Sequence, residues 1–142
     1  MKTIFVNEND AVRNWYVIDA TDKPVGRVAA KAAAVLRGKH KSTYTPNQEM
    51  GDSVIIINAT KAAMTGNKKE GKIYRKHTGF VGGLKSNSYR ITLERHPEEP
   101  MMRAIKGMLP SGPLGRRLLT NVKVYGGAEH SHAAQNPQPL EV

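Results

Sequence analysis

The chain contains no cysteine. Disulfide scaffolds, thiolate metal centres and cysteine nucleophiles are therefore excluded, while the redox compartment is left open. Long apolar runs are also missing, and nothing approaches the roughly 18 consecutive apolar residues of a membrane span. The opening residues, Met1 to Glu8, soon turn acidic and lack the apolar centre of a secretory leader, so a cytoplasmic protein with no membrane partner is expected. The common catalytic signatures are absent: there is no G-x-S-x-G, no H-E-x-x-H and no G-x-G-x-x-G. Glu98-Glu99 is the sole adjacent acid pair, and its place ahead of an apolar periodic segment suits a helix N-terminus better than acid–base chemistry.

Acidic residues are scarce as well. Asp and Glu total 12 against 22 Lys and Arg, which leaves a net charge of +10. Such an excess favours a polyanionic partner over a generally soluble basic protein, because unpaired like charge destabilises a compact state. The charge comes in blocks. Residues 27–41, 61–76 and 101–123 each carry net +5, separated by neutral or slightly acidic chain. Spaced blocks predict patches on a fold; a disordered basic tail would place its charge in one terminal run.

With 142 residues, 39% of them hydrophobic, the chain is sized for a single globular domain with a real core. Trp15 to Ala20 is aromatic and β-branched and predicts a strand, followed by a turn at Thr21 to Pro24. A helix is expected from Val25 to Arg37, stopped by Gly38. Val28, Ala32, Val35 and Leu36 share its apolar face, Lys31 borders that face, and Arg27 and Arg37 lie away from it. The unbroken run Val54-Ile55-Ile56-Ile57 predicts a strand covered on both sides, as in parallel sheets. Strand, helix and buried strand make a βαβ opening.

Residues 58–83 read as strands and extended basic loops, with a strand candidate at Lys72 to Arg75. Short helices are expected over Ile91 to Arg95 and after Pro100, where Met101, Ile105, Met108 and Leu109 share one face. Pro110 to Pro113 breaks the chain before a further helix from Leu114 to Leu119, and Val122 to Tyr125 reads as the final strand. The segment 126–142 has no periodicity and reads as an extended arm.

Two motifs have chemical readings. Gly66 to Lys72 satisfies the G-x-x-x-x-G-K part of a phosphate-binding loop, yet Ile73 stands where a Mg²⁺-binding hydroxyl belongs. A basic loop lying on a nucleic-acid backbone fits the same residues. His130-Ser131-His132 could chelate a metal, but no third ligand stands beside it, and solvated or stacking histidines suit the pattern better. No metal, cofactor or small-molecule substrate is therefore expected.

Three stretches interleave cations with Gly, Tyr or His, a composition in which cations hold phosphates while rings stack on unpaired bases. The candidate contacts are Arg37, Lys39, His40 and Lys41 in the first stretch. The second offers Lys68, Lys69, Lys72, Arg75, Lys76 and His77, and the third Lys106, Arg116, Arg117 and Lys123. A nucleic-acid binder is one reading. An RNA-acting enzyme, such as a small methyltransferase, would need a cofactor loop and a catalytic acid or base. A DNA-binding regulator would need helix-turn-helix spacing, and none is found.

Several of these segments resemble a known family. Ile105 to Pro110, Gly112 to Arg116, Val122 to Tyr125, Trp15 to Ala20, Arg37 to Lys41, Tyr44-Thr45-Pro46, Thr65 to Lys68, His77-Thr78-Gly79 and Glu129 to Gln135 are similar, in order and over nearly the whole chain, to the family of the thirteenth protein of the bacterial large ribosomal subunit. The resemblance implies a three-layer α/β/α single domain with a small, mostly parallel sheet. It also implies binding to large-subunit ribosomal RNA, a part in early assembly, neighbouring ribosomal proteins and no enzymatic activity. The 84–96 region, with Asn87, Ser88 and Tyr89, is less acidic and less helix-prone than the family leads one to expect.

Overall fold

The computed structural model describes residues 5–7 and 10–142, so most of the Met1 to Glu8 segment lies outside the described residues. The sheet is the middle layer. Its four strands, β1 (Trp15–Asp19), β2 (Ser53–Ile57), β5 (Val122–Val124) and β6 (Gln138–Pro139), run parallel in the order β5-β2-β1-β6. Helix α1 (Val25–Arg37) joins the two central strands as the apolar pattern predicts, and packs with α4 (Glu99–Met108) and α5 (Pro113–Thr120). Tyr16, Ile18, Val54, Ile56, Val122 and Val124 face these helices in one core with Val28, Leu36, Met101, Ile105 and Leu118. Each fully buried Leu, Ile or Met there contributes roughly 2 kcal/mol by leaving water.

The end of α1 is fixed by close backbone approach. Gly38 takes a left-handed conformation (φ 78°), and its N–H and that of Lys39 cap the Val35 and Ala34 carbonyls at 2.9 and 3.0 Å. The returning chain then crosses this cap so tightly that a Cβ on Gly51 would stand 1.6 Å from the Leu36 carbonyl oxygen. This crossing delivers β2 into register beside β1, with Val17 opposite Ile55.

The C-terminal segment is mostly irregular chain laid along the domain, but it contains one more short strand, so Val122–Val124 is not the last strand. The chain recrosses the face of the sheet opposite the helices. The His132 ring lies 5.3 Å from the Trp15 ring and 6.0 Å from that of Tyr125, and Ser131 Oγ is 3.0 Å from the Tyr125 hydroxyl. It then joins the sheet edge as β6, where the Leu140 N–H donates to the Val17 carbonyl at 2.8 Å and Leu140 packs on the core. Ile55, on the face of β2 away from the helices, is fully buried as well.

A second sheet stands apart from the first. Strands β3 (Ile73–His77) and β4 (Leu84–Ser88) form an antiparallel ribbon, preceded by a helical turn, α2 (Lys68–Gly71), and followed by α3 (Tyr89–Arg95). The Ser88 hydroxyl accepts from the Ile91 N–H at 3.4 Å and caps α3, so residues 84–88 are strand and the helix starts two residues before the expected Ile91. The ribbon is anchored at its base. Tyr74 lies 6.4 Å from Tyr89, ring to ring, and the Arg103 guanidinium sits 4.6 Å from the Tyr74 centroid, held there by Glu99 at 2.9 Å. Burial at this junction raises the pKa of both phenols.

Met108 corrects the expected face of α4. Met101, Ile105 and Leu109 are buried, but Met108 is 45% exposed. It ends the helix over Ala30, Ala33 and Ala34 of α1, whose short side chains leave a cleft of about 170 Å³ beneath it.

Candidate nucleic-acid interface

The first basic stretch divides on folding. Asp52, wholly buried at the start of β2, accepts from the Asn14 N–H at 2.9 Å, from Lys41 Nζ at 2.6 Å and lies 2.7 Å from His40 Nε2. Lys41 also donates to the Val12 carbonyl at 2.6 Å. These two residues therefore tie the chain after α1 to the entry of β1 and β2. Arg37 is half-buried, with its guanidinium 5.9 Å from the Tyr44 centroid and Nε lacking a partner. Of this stretch Lys39 is the cation left exposed and without an ion pair among the described residues. The sequence could not show this division, because Asp52 is brought to Lys41 by a chain reversal.

The second stretch forms one projecting object. Lys68 and Lys69 occupy α2, Lys72 follows it, and Arg75, Lys76 and His77 lie on β3; all six are exposed. Residues Gly66 to Lys72 thus make a helical turn that leads into a strand. A phosphate-binding loop instead leads into a helix whose N-terminus faces the anion, so this segment does not have that architecture. Lys85, which sequence reading did not single out, stands directly across the ribbon from Lys76. Its signal was present in the glycines at 79, 82 and 83, which mark a hairpin, but Leu84 to Ser88 has too little β-propensity to be read as the returning strand.

The third stretch divides in space. Lys106 and Arg116 line a cleft of about 410 Å³ at the turn between α4 and α5. Gly112 there has φ 109°, and a Cβ on Gly115 would stand 1.7 Å from the Pro110 carbonyl oxygen, so glycine is required at both positions for the turn to close. Leu118 is buried and Leu114 packs on the core, leaving Arg116 and Arg117 exposed and without ion pairs among the described residues. Glu99 is engaged by Arg103, not by these arginines. Met108 shares its cleft with Arg37 and Lys39, so the ends of α1 and α4 bring the first and third stretches together on the helical face. Lys123 is placed elsewhere. It is exposed on the edge strand β5, on the opposite face of the sheet, where a charge also discourages pairing with another chain.

His130 and His132 are held by local contacts: the His132 N–H donates to His130 Nδ1 at 3.3 Å, and the His132 ring packs between Trp15 and Tyr125. Among the described residues no cluster of three or more acidic or histidine side chains could hold a metal, and no helix is long and apolar enough to cross a membrane.

A mixed α/β domain with a small parallel sheet, a basic helical face and a basic projecting ribbon defines a class of compact proteins shaped to face a polyanion. The family described as Ribosomal protein L13 matches residues 13–131. The chain is also similar to the large ribosomal subunit protein uL13 of Treponema denticola, at 63% identity over the full length of both chains. The protein of that name from Treponema pallidum is 58% identical over 99% of each chain, and that from Francisella philomiragia 52% identical over 97% of each. The chain belongs to the ribosomal protein L13 family.

Proposed function

We propose that this protein is a structural constituent of the large ribosomal subunit in the cytoplasm, binding ribosomal RNA, supporting early subunit assembly and contacting neighbouring ribosomal proteins. The observation that carries the reading is the end-to-end similarity, at 63% identity, to a protein named for that subunit. The electrostatics are of the matching kind, with exposed cations on two separate surfaces of a rigid core.

The mechanism is electrostatic and geometric. Lys39, Lys106, Arg116 and Arg117 on the helical face, and Lys68, Lys69, Lys72, Arg75, Lys76 and His77 on the ribbon, hold RNA segments that would otherwise repel one another. Arginines grip phosphate with two parallel hydrogen bonds and lysines act as point charges. Release of counterions from the RNA supplies much of the free energy. Arg37 and Lys123 are secondary candidates, the first half-buried and the second on the edge strand. His40 and Lys41, both engaged by Asp52, rank behind the unpaired cations as RNA contacts. A small RNA methyltransferase gains no support, since the relatives are named as ribosomal proteins and the glycine–lysine stretch is helical.

Crosslinking in cells, followed by sequencing of the attached RNA, tests the reading. The attached RNA is expected to be concentrated in a few segments of large-subunit ribosomal RNA. Recovery spread over messenger RNA or small-subunit RNA would refute it.

A further inference from the structure

The tip of the β3–β4 ribbon carries apolar side chains that nothing in the fold requires. Phe80 is 78% exposed, Val81 is fully exposed and Leu84 is 60% exposed. Core packing cannot account for them. The backbone beneath them is nevertheless well defined. The Thr78 N–H donates to the Gly83 carbonyl at 3.0 Å, the Gly83 N–H to the Phe80 carbonyl at 2.9 Å, and the Gly79 N–H to His77 Nδ1 at 3.0 Å. Gly79 and Gly82 adopt φ of 90° and 71°, and a Cβ on Gly83 would stand 2.1 Å from Thr78 Oγ1. The loop is thus a preset mount for Phe80 and Val81.

The charge around the mount selects the occupant. Between Glu70 and Glu94 the chain has no acidic residue. Lys76 and Lys85 are direct cross-strand partners, with Cβ atoms about 5 Å apart, an arrangement that repels in the isolated protein. Arg75 and His77 flank them on the neighbouring positions of β3. A polyanion between the two lysines would turn that repulsion into attraction, and Phe80 beside it offers a ring face that any base can stack on. A protein neighbour would match the apolar tip but would need an acidic surface to match the lysines.

We propose that the ribbon tip is a stacking wedge for unpaired nucleotides, in which Phe80 stacks on an extruded or single-stranded base while Lys76 and Lys85 each hold one of the two adjoining phosphates. This rests on the proposed binding of large-subunit RNA and assigns part of it to a particular element.

The test measures binding of the full chain to large-subunit ribosomal RNA across a salt series, for wild type, Phe80→Ala, Phe80→Leu, Phe80→Tyr and the pair Lys76→Ala/Lys85→Ala. Phe80→Ala and Phe80→Leu are expected to weaken binding by about 5- to 150-fold, with the salt slope unchanged. Phe80→Tyr should bind as wild type. The lysine pair should make the slope of log affinity against log salt shallower by about 1.4, the value for two contacts to a single strand. All variants should melt with wild type, because the tip is outside the core. Wild-type binding by Phe80→Ala, or by Phe80→Leu, overturns the stacking assignment while leaving the ribosomal reading intact. If Phe80→Ala binds RNA normally but fails to enter subunits reassembled with total large-subunit proteins, the tip docks on a protein and the proposal is wrong. Failure of the wild type itself to bind would overturn the ribosomal reading, and the wedge with it.

Discussion

Replacing Asp52 with alanine removes one carboxylate and strands three donors. The Asn14 N–H loses its acceptor at 2.9 Å, Lys41 its partner at 2.6 Å and His40 its contact at 2.7 Å. The carboxylate is wholly buried and the Lys41 side chain is 18% exposed, so solvent can compensate only part of the loss. Breaking a buried, hydrogen-bonded ion pair on one side costs about 3–5 kcal/mol, and the Asn14 N–H, on an exposed residue, adds little because water can replace its acceptor. For a domain of this size roughly 3–4 °C of melting temperature corresponds to each kcal/mol. The expected fall is therefore about 9–20 °C in a calorimetric or far-ultraviolet melt at neutral pH. Lys41→Met should also destabilise, by leaving Asp52 unpaired, and the double variant should fall by less than the sum of the two, which a double-mutant cycle measures. A melt of Asp52→Ala within about 2 °C of wild type would refute the reasoning. Tighter RNA binding by that variant at unchanged stability would show that Lys41 is held back from RNA, not committed to the fold.

Gly51→Ala should be more damaging still, losing more than about 3 kcal/mol or failing to fold, because its Cβ would meet the Leu36 carbonyl oxygen at 1.6 Å; a soluble variant with a wild-type denaturant midpoint would contradict the observed crossing. Asp19 accepts from the Asn58 side chain and from the Thr21 hydroxyl and N–H, which lower its pKa from 3.8 to about 2. A depressed carboxylate contributes stability that is present above pH 4 and lost as the pH falls towards 2; for this exposed group about 1 kcal/mol remains after screening. Asp19→Asn should flatten the stability–pH curve in that window, and an unchanged curve would remove the contribution. Arg116→Ala with Arg117→Ala should weaken binding to large-subunit RNA and make the salt slope shallower by about 1.4 to 1.8, with the melting temperature kept. Equal affinity and slope would take both residues out of the interface.

Elements with strong local signals were legible in the sequence. Helix α1 was bounded correctly because its alanine-rich apolar face is periodic and Gly38 can cap it in the left-handed region. Strand β2 was legible because four consecutive β-branched residues suit a strand covered on both faces. The C-terminal strand was not, because Gln138–Pro139 is only two residues long and contains a proline that a sheet tolerates at its edge; its place is set by the Trp15–His132 contact and the Leu140–Val17 hydrogen bond, each between residues far apart in sequence. The basic blocks were legible as charge, but their division was not. Lys41 and Lys39 look alike in sequence, and only the fold brings Asp52 to one and leaves the other exposed. Phe80 and Lys85 went unmarked because their meaning lies in a hairpin register that Leu84 to Ser88 barely signals.

A protein of this family should reside in the large subunit of the ribosome. Sedimentation of a cell lysate through a sucrose gradient, at moderate Mg²⁺ and low salt with the protein followed by immunoblot, tests it most directly. Most of the protein should travel with large subunits and whole ribosomes, and brief nuclease treatment that digests the ribosomal RNA should shift it to the top of the gradient. A protein found mainly in the soluble fraction before nuclease treatment would show that it is not a constituent of the large subunit.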